Sequence, residues 1–148
     1  MWRKPTSKKF PLTALLVAVT GILMAPLFPK PVLGLTPPGT GQAASLVALD
    51  LERAVALAVR ERKQVRITCD CANGRYTVTD RASGAVILTR RVTGGNGQLD
   101  VQTLAFSTTP IDVLPSGLVS APLTVTLTSN GTSRQVTMSP GGSVSLIR

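Results

Sequence analysis

The feature that most constrains this chain is an uncharged, strongly apolar run at residues 10–28, FPLTALLVAVTGILMAPLF. A bilayer core takes about 20 helical residues, so this 19-residue run is just long enough to cross it as a helix. Four basic residues stand immediately before the run: Arg3, Lys4, Lys8 and Lys9. Because Lys and Arg are retained on the cytoplasmic side, we expect the N-terminus inside and the rest of the chain outside.

A secretory signal peptide has a similar basic segment followed by an apolar one, and it ends at a small-residue cleavage site. Such a site is poorly matched here, because Ala25 is followed by proline and Gly34 lies far beyond the apolar core. The sequence therefore favours a retained single-pass anchor in the inner membrane with a periplasmic or extracellular domain. A secreted β-rich domain, released after signal peptide cleavage, is the alternative.

Three segments are expected along the chain: a leader and transmembrane helix at residues 1–28, a linker at 29–41, and one globular domain at 42–148. The linker, PKPVLGLTPPGTG, is rich in proline and glycine, which interrupt helices and favour an extended, exposed backbone. The remaining residues are enough for a single small domain with its own core.

The net charge of +9 is unevenly distributed along the chain. Residues 1–30 contain five basic residues and no acid, whereas residues 31–148 contain eleven basic and seven acidic residues. More than half of the excess charge therefore belongs to the membrane-directed part. The domain itself is only mildly basic, which is ordinary for a soluble surface.

Residues 42–63, QAASLVALDLERAVALAVRERK, have apolar side chains at three- and four-residue spacing, which predicts an amphipathic helix. After residue 63 the apolar period shortens to two, and turn dipeptides such as Asn73-Gly74, Ser83-Gly84 and Asn130-Gly131 separate the runs. We expect six to seven antiparallel strands, with Val86 and Leu88 facing inward on the third. The fold class is therefore α+β, with the helix laid on antiparallel sheet.

The chain contains no histidine, which removes histidine-based catalytic triads and most zinc sites. Its acids are scattered, and no nucleotide-binding loop or metal motif is present. We therefore expect no catalytic residue, no metal and no cofactor, and a protein that is not an enzyme.

The two cysteines, Cys69 and Cys71, lie two residues apart in a predicted strand. Residues at this spacing in an extended strand are farther apart than a disulfide prefers, so a bridge requires a bulge or kink. Two buried thiols are the favoured interpretation, and a local disulfide is the alternative.

Several arginines of the domain could form a basic edge, and they carry a second hypothesis, DNA binding at the cell surface. A single tyrosine offers no aromatic platform for stacking bases, so this signal is weak. The candidate contacts are Arg75, Arg81, Arg90, Arg91, Arg134 and Arg148.

The order of parts resembles the minor pseudopilins of the GspH/FimT type, which are type IV pilin-like proteins of type II secretion and type IV pilus systems. The resemblance rests on the apolar segment FPLTALLVAVTGIL, the segment ERAVALAVRERKQVRIT, and the ending RQVTMSPGGSV. It implies a non-catalytic, membrane-anchored subunit whose partners are other pilin-like subunits.

The same resemblance places the prepilin peptidase site between Lys9 and Phe10. Members of the family are generally cut after glycine, and they usually carry glutamate at the fifth mature position. This chain has Lys9 and Ala14 at those places.

Overall fold

The computed structural model describes residues 39–94, 99 and 101–147, all within a unit that spans Leu35–Arg148. In this part of the chain, one helix precedes eight strands arranged in two antiparallel sheets. The predicted transmembrane helix at residues 10–28 and the first ten residues of the predicted linker (29–41) lie outside the described residues, and the observed helix already begins at Thr40 within the last part of that linker. Within the described ranges, no helix has both the length and the hydropathy needed to cross a bilayer.

Helix α1 spans Thr40–Glu61, close to the predicted range of 42–63, and its buried side chains follow the expected stripe. Four of the buried residues are alanines, which let the helix approach the sheets closely. The helix ends in a Schellman motif: Arg62 takes a left-handed conformation, and the N–H of Lys63 donates to the carbonyl of Ala58 at 3.1 Å. The chain then turns directly into the first strand.

The first sheet contains β1 (Val65–Asp70), β2 (Arg75–Asp80), β3 (Val86–Arg91) and the short β5 (Ile111–Val113). The strands lie in the order β3-β2-β1-β5, so β3 forms one edge. A 3₁₀ turn, Cys71–Asn73, joins β1 to β2. Alternation along β1 and β2 buries one set of side chains beneath α1 and leaves the other set on the outer face of the sheet.

The second sheet contains β4 (Thr103–Phe106), β6 (Leu123–Ser129), β7 (Thr132–Met138) and β8 (Val144–Ile147), in the order β4-β6-β7-β8. Strands β6, β7 and β8 form the predicted meander, and Asn130-Gly131 supplies its first turn with two positive φ angles. Helix α1 packs on β6, β7 and β8 and also touches β1 and β5, so it covers parts of both sheets.

The strand count is eight, whereas the sequence predicted six to seven. Strand β5, with three residues, lies between Pro110 and Pro115, where the interrupted sequence pattern allows at most a short strand near residues 111–114. The chain also alternates between the sheets, because β4 joins the second sheet, β5 the first and β6 the second again.

The prediction that Val86 faces inward is wrong, since its side chain is 63% exposed. Leu88 is partly buried, as expected, and lies opposite the buried Val78. A register shift between Val78 and Thr79 then places Val86 opposite Thr79, on the outer face. A β-bulge of this kind reverses which residues point inward beyond it.

The loop that contains Gly142 lies in close contact with the loop that contains Gly117. Gly142 has a φ of 78°, and a Cβ atom added there would overlap the carbonyl oxygen of Gly117 and approach Val55 Cγ1 to 3.2 Å. We expect Gly142→Ala to lower the free energy of unfolding by at least about 2 kcal/mol, since backbone strain and a backbone clash combine. Urea denaturation of the full chain in non-ionic detergent, followed by circular dichroism, measures this.

Gly131→Ala is the matched control for this substitution. Gly131 has nearly the same φ, 77°, but a Cβ atom there meets nothing within 4 Å. Gly131→Ala should therefore lower the free energy of unfolding only through backbone strain, by about 1 kcal/mol. Equal losses in the two variants would show that the contact between Gly142 and Gly117 does not constrain the fold.

Candidate functional site

A buried carboxylate lies at the centre of the helix–sheet contact. Asp50 is on the apolar stripe of α1 and is only 4% exposed. The hydroxyl of Tyr76, on β2, donates to Asp50 Oδ2 at 2.6 Å. Arg90, on β3, donates from Nε to Oδ2 at 2.9 Å and from Nη2 to Oδ1 at 3.0 Å. One carboxylate therefore links α1 to two strands of the first sheet.

The electrostatics of this cluster keep Tyr76 and Arg90 in their protonated, hydrogen-bond-donating forms. Burial, together with the hydrogen bond to Asp50, raises the pKa of Tyr76 far above its usual value, so the phenol remains a donor. The hydrogen bonds to Asp50 raise the pKa of Arg90 despite its partial burial. Both carboxylate oxygens are occupied, which suits a structural cross-link better than proton transfer.

A second ion pair lies on the outer face of the first sheet. Arg66, on β1, donates to both carboxylate oxygens of Asp112, on β5, at 2.7 and 2.9 Å. Arg81, in the turn after β2, lies 3.8 Å from the same carboxylate. The hydrogen bonds from Arg66 lower the pKa of Asp112. This pair fastens the short β5 to the sheet.

At the other end of the outer face, Asp70 accepts hydrogen bonds from Asn73 Nδ2 at 2.9 and 3.0 Å and from Arg75 Nε at 2.8 Å. The bonds from Asn73, followed by those from Arg75, lower the pKa of Asp70. Beside this group is an open cleft of about 420 Å³, lined by Asn73, Arg75, Thr89 and Arg91.

The two cysteines at this end are joined in a disulfide, whereas the sequence favoured two buried thiols. Strand β1 ends at Asp70, and Cys71 begins the 3₁₀ turn, which brings the two Cα atoms to 5.1 Å. That separation lies within the range for disulfides, which an extended strand would exceed. The 3₁₀ turn thus supplies the kink that a disulfide at this spacing requires.

The arginines predicted as DNA contacts do not form one surface. Arg90 points inward to Asp50, whereas Arg75 and Arg91 lie opposite each other on the outer face. Arg134 is on β7, in the second sheet. Arg148 and the predicted processing site at Lys9 and Phe10 lie outside the described residues.

A small groove of about 80 Å³ lies between α1 and the edge strand β3. Its lining is mainly apolar, from Ala54, Leu57, Val78, Ile87 and Leu88, and Asp50 and Arg53 complete it. Among the residues that the structure describes, no cluster of three or more His, Cys, Asp or Glu residues could hold a metal ion. The sites described in this part of the chain consist of ion pairs and an apolar groove.

The role of Asp50 is not predicted by the sequence motifs, among which it is one of several scattered acids. A signal was present, because Asp50 follows Val47 by three residues and precedes Ala54 by four, on the apolar stripe of the predicted helix. A charged residue at such a position requires a partner. Nothing in the local pattern indicated that Arg90, forty residues later, supplies it.

Comparison with known proteins matches residues 43–142 to the family described as "Type II transport protein GspH". Among solved structures, the type IV minor pilin FimU of Pseudomonas aeruginosa is similar, with 18% identity and a TM-score of 0.60. That match covers 74% of this chain and 88% of FimU. No curated protein sequence gave a significant match.

The minor pseudopilin EpsH of the Vibrio cholerae type 2 secretion system has a similar structure, with 16% identity and a TM-score of 0.55. The match covers 73% of this chain and 95% of EpsH. At such low identity these likenesses establish the fold: an amphipathic helix on two antiparallel sheets. The predicted resemblance in fold is confirmed.

The buried carboxylate generates a stability prediction. Asp50→Ala leaves the guanidinium of Arg90 and the hydroxyl of Tyr76 without their acceptor, so we expect the free energy of unfolding to fall by about 3 kcal/mol. Tyr76→Phe, which keeps the ion pair, should cost about 1 kcal/mol. Glu52→Ala, at an exposed position on the same helix, should change stability by less than about 0.5 kcal/mol. Urea denaturation measures these losses. Equal losses of unfolding free energy in Asp50→Ala and Glu52→Ala would refute this role.

The outer ion pair predicts a dependence of stability on pH. The pKa of Asp112 is lowered in the folded state, so its contribution is present above the unfolded value of about 3.9 and is lost as the pH falls through the folded value. We expect the melting temperature to fall below about pH 4. Asp112→Asn should melt at a lower temperature at pH 7 and show a shallower acid transition. A variant with the same acid transition as the parent chain would contradict the assignment.

Proposed function

Because the chain belongs to the GspH family of type II transport proteins, we propose that it acts as a non-catalytic minor pseudopilin in a type II secretion or type IV pilus assembly. The observation that carries this proposal is the family match over residues 43–142, which begins in α1 and continues beyond β7. The fold likeness to a minor pilin and to a minor pseudopilin supports the same role.

In this proposal the apolar run at residues 10–28 anchors the protein in the cytoplasmic membrane. The basic residues before it hold the N-terminus inside, and the domain faces the periplasm or the exterior. Lateral packing of the anchor against the anchors of other pilin-like subunits brings the protein into the assembly. The disulfide between Cys69 and Cys71 supports an extracytoplasmic domain, because such bonds persist in oxidising compartments.

A structural rather than catalytic role agrees with the chemistry of the domain. The chain has no histidine to serve as a general base. Its buried carboxylate, Asp50, has both oxygens occupied by Tyr76 and Arg90 within the fold. These groups stabilise the domain, and its outer surfaces remain for contacts with partners.

The proposal predicts processing between Lys9 and Phe10 by a prepilin peptidase. The test is the intact mass of the protein recovered from membranes, with the peptidase present and with its gene deleted. We expect a peptidase-dependent loss of residues 1–9. Lys9→Gly, which introduces the residue that the family usually has before the cut, should increase the cleaved fraction, whereas the neighbouring Lys8→Gly should not.

Other outcomes of this measurement would contradict the proposal in distinct ways. An uncut mass in both strains would indicate a tethered relative that does not mature as a pseudopilin. A cut near Gly34 in both strains would indicate an ordinary secreted domain.

A further inference from the structure

Two arginines face each other across neighbouring strands on the outer face of the first sheet. Arg75, on β2, is the direct register partner of Arg91, on β3, and both are exposed. Residues paired in this way have Cβ atoms about 5 Å apart, and like charges at that separation destabilise a sheet. The arrangement therefore favours anions between or beside the two guanidinium groups.

Only one of the two charges is compensated by the described residues. Asp70 accepts a hydrogen bond from Arg75 Nε at 2.8 Å, and its oxygens are further occupied by Asn73. Arg91 has no acidic partner within the described ranges. Its guanidinium lies beside Gly94: a Cβ atom built there would be in ordinary van der Waals contact with Nε and Nη2, at 3.6 and 3.7 Å.

The open cleft of about 420 Å³ lies beside these groups and is lined by the polar or charged residues Asn73, Arg75, Thr89 and Arg91. Arg75 and Arg91 contribute guanidinium N–H groups and Thr89 contributes a hydroxyl, whereas the amide nitrogen of Asn73 already donates to both oxygens of Asp70. Guanidinium groups bind carboxylates and phosphates through paired hydrogen bonds. The cleft is thus equipped to accept one small anionic group.

The surroundings favour a carboxylate over a nucleic-acid backbone. The other arginines of this face, Arg66 and Arg81, lie against Asp112, and Arg75 lies against Asp70. These acids interrupt any continuous row of positive charge for successive phosphates. Tyr76, the only tyrosine, is buried beneath the opposite face and offers no stacking platform.

We propose that the cleft between Arg75 and Arg91 is a docking site for an acidic side chain of a protein partner. The carboxylate would bind Arg91 through paired hydrogen bonds and relieve its repulsion with Arg75. The inference rests on the geometry of the sheet and goes beyond the proposed function. Because its test requires no assembly, its failure and that of the pseudopilin proposal are distinguishable.

The test titrates the full chain, in non-ionic detergent, with a blocked tri-glutamate peptide while NMR follows the arginine Nε–H signals. Tri-glutamine is the neutral control peptide. We expect the signals of Arg75 and Arg91 to shift with tri-glutamate and not with tri-glutamine. Arg91→Gln should weaken the apparent affinity at least fivefold, whereas Arg53→Gln, at an exposed position on α1, should change it less than twofold.

Stability measurements separate binding from a structural role. Because Arg91→Gln removes a like-charge pair, the variant should melt at the same temperature as the parent chain or higher. A melting temperature lowered by Arg91→Gln would make Arg91 a structural residue and overturn the proposal. Absent shifts, equal shifts with tri-glutamine, or unchanged affinity in Arg91→Gln would also overturn it. Tighter binding of a ten-nucleotide thymidine strand through the same signals would instead assign the cleft to nucleic acid.

Discussion

The domain depends on the buried carboxylate of Asp50. Apolar packing is non-directional, and an alanine-rich helix could settle on a sheet in several closely related positions. Three hydrogen bonds to one carboxylate restrict that freedom, because the hydroxyl of Tyr76 and the fork of Arg90 have fixed directions. A displacement of α1 along the sheet would leave a buried charge without partners, which costs more than lost apolar contact. The position of the helix over the first sheet is thus defined electrostatically.

The second sheet is held to the same helix by different means. Helix α1 contacts β6, β7 and β8, and the backbone at Gly142 approaches the carbonyl oxygen of Gly117 too closely for a side chain at Gly142. The chain also crosses between the two sheets. Strand β5 belongs to the first sheet, whereas its neighbours in sequence, β4 and β6, belong to the second. Helix and crossovers together join two small sheets that could not separately bury a sufficient core.

Local patterns predicted most of the secondary structure and little of the site. The helix at 42–63, observed at Thr40–Glu61, and the meander of β6, β7 and β8 follow directly from apolar period and turn dipeptides. The partition of strands between two sheets and the outward turn of Val86 depend on pairing with distant strands, which period alone does not specify. Local sequence patterns do not predict the pairing of Asp50 with Arg90 either, because the two residues are separated by forty positions and meet only in the folded domain.

Arg90 and Arg91 show why a charge cluster in a sequence is a poor guide to a surface. As adjacent letters they suggest one basic patch, but successive side chains of a strand point to opposite faces. Arg90 therefore neutralises Asp50 beneath the sheet, while Arg91 lies on the outer face opposite Arg75. The inner charge is satisfied within the fold, and the outer one has no acid partner among the described residues. Since a strand divides such a pair in this way, the basicity of this domain has to be assessed face by face, and only the outer face is available to a partner.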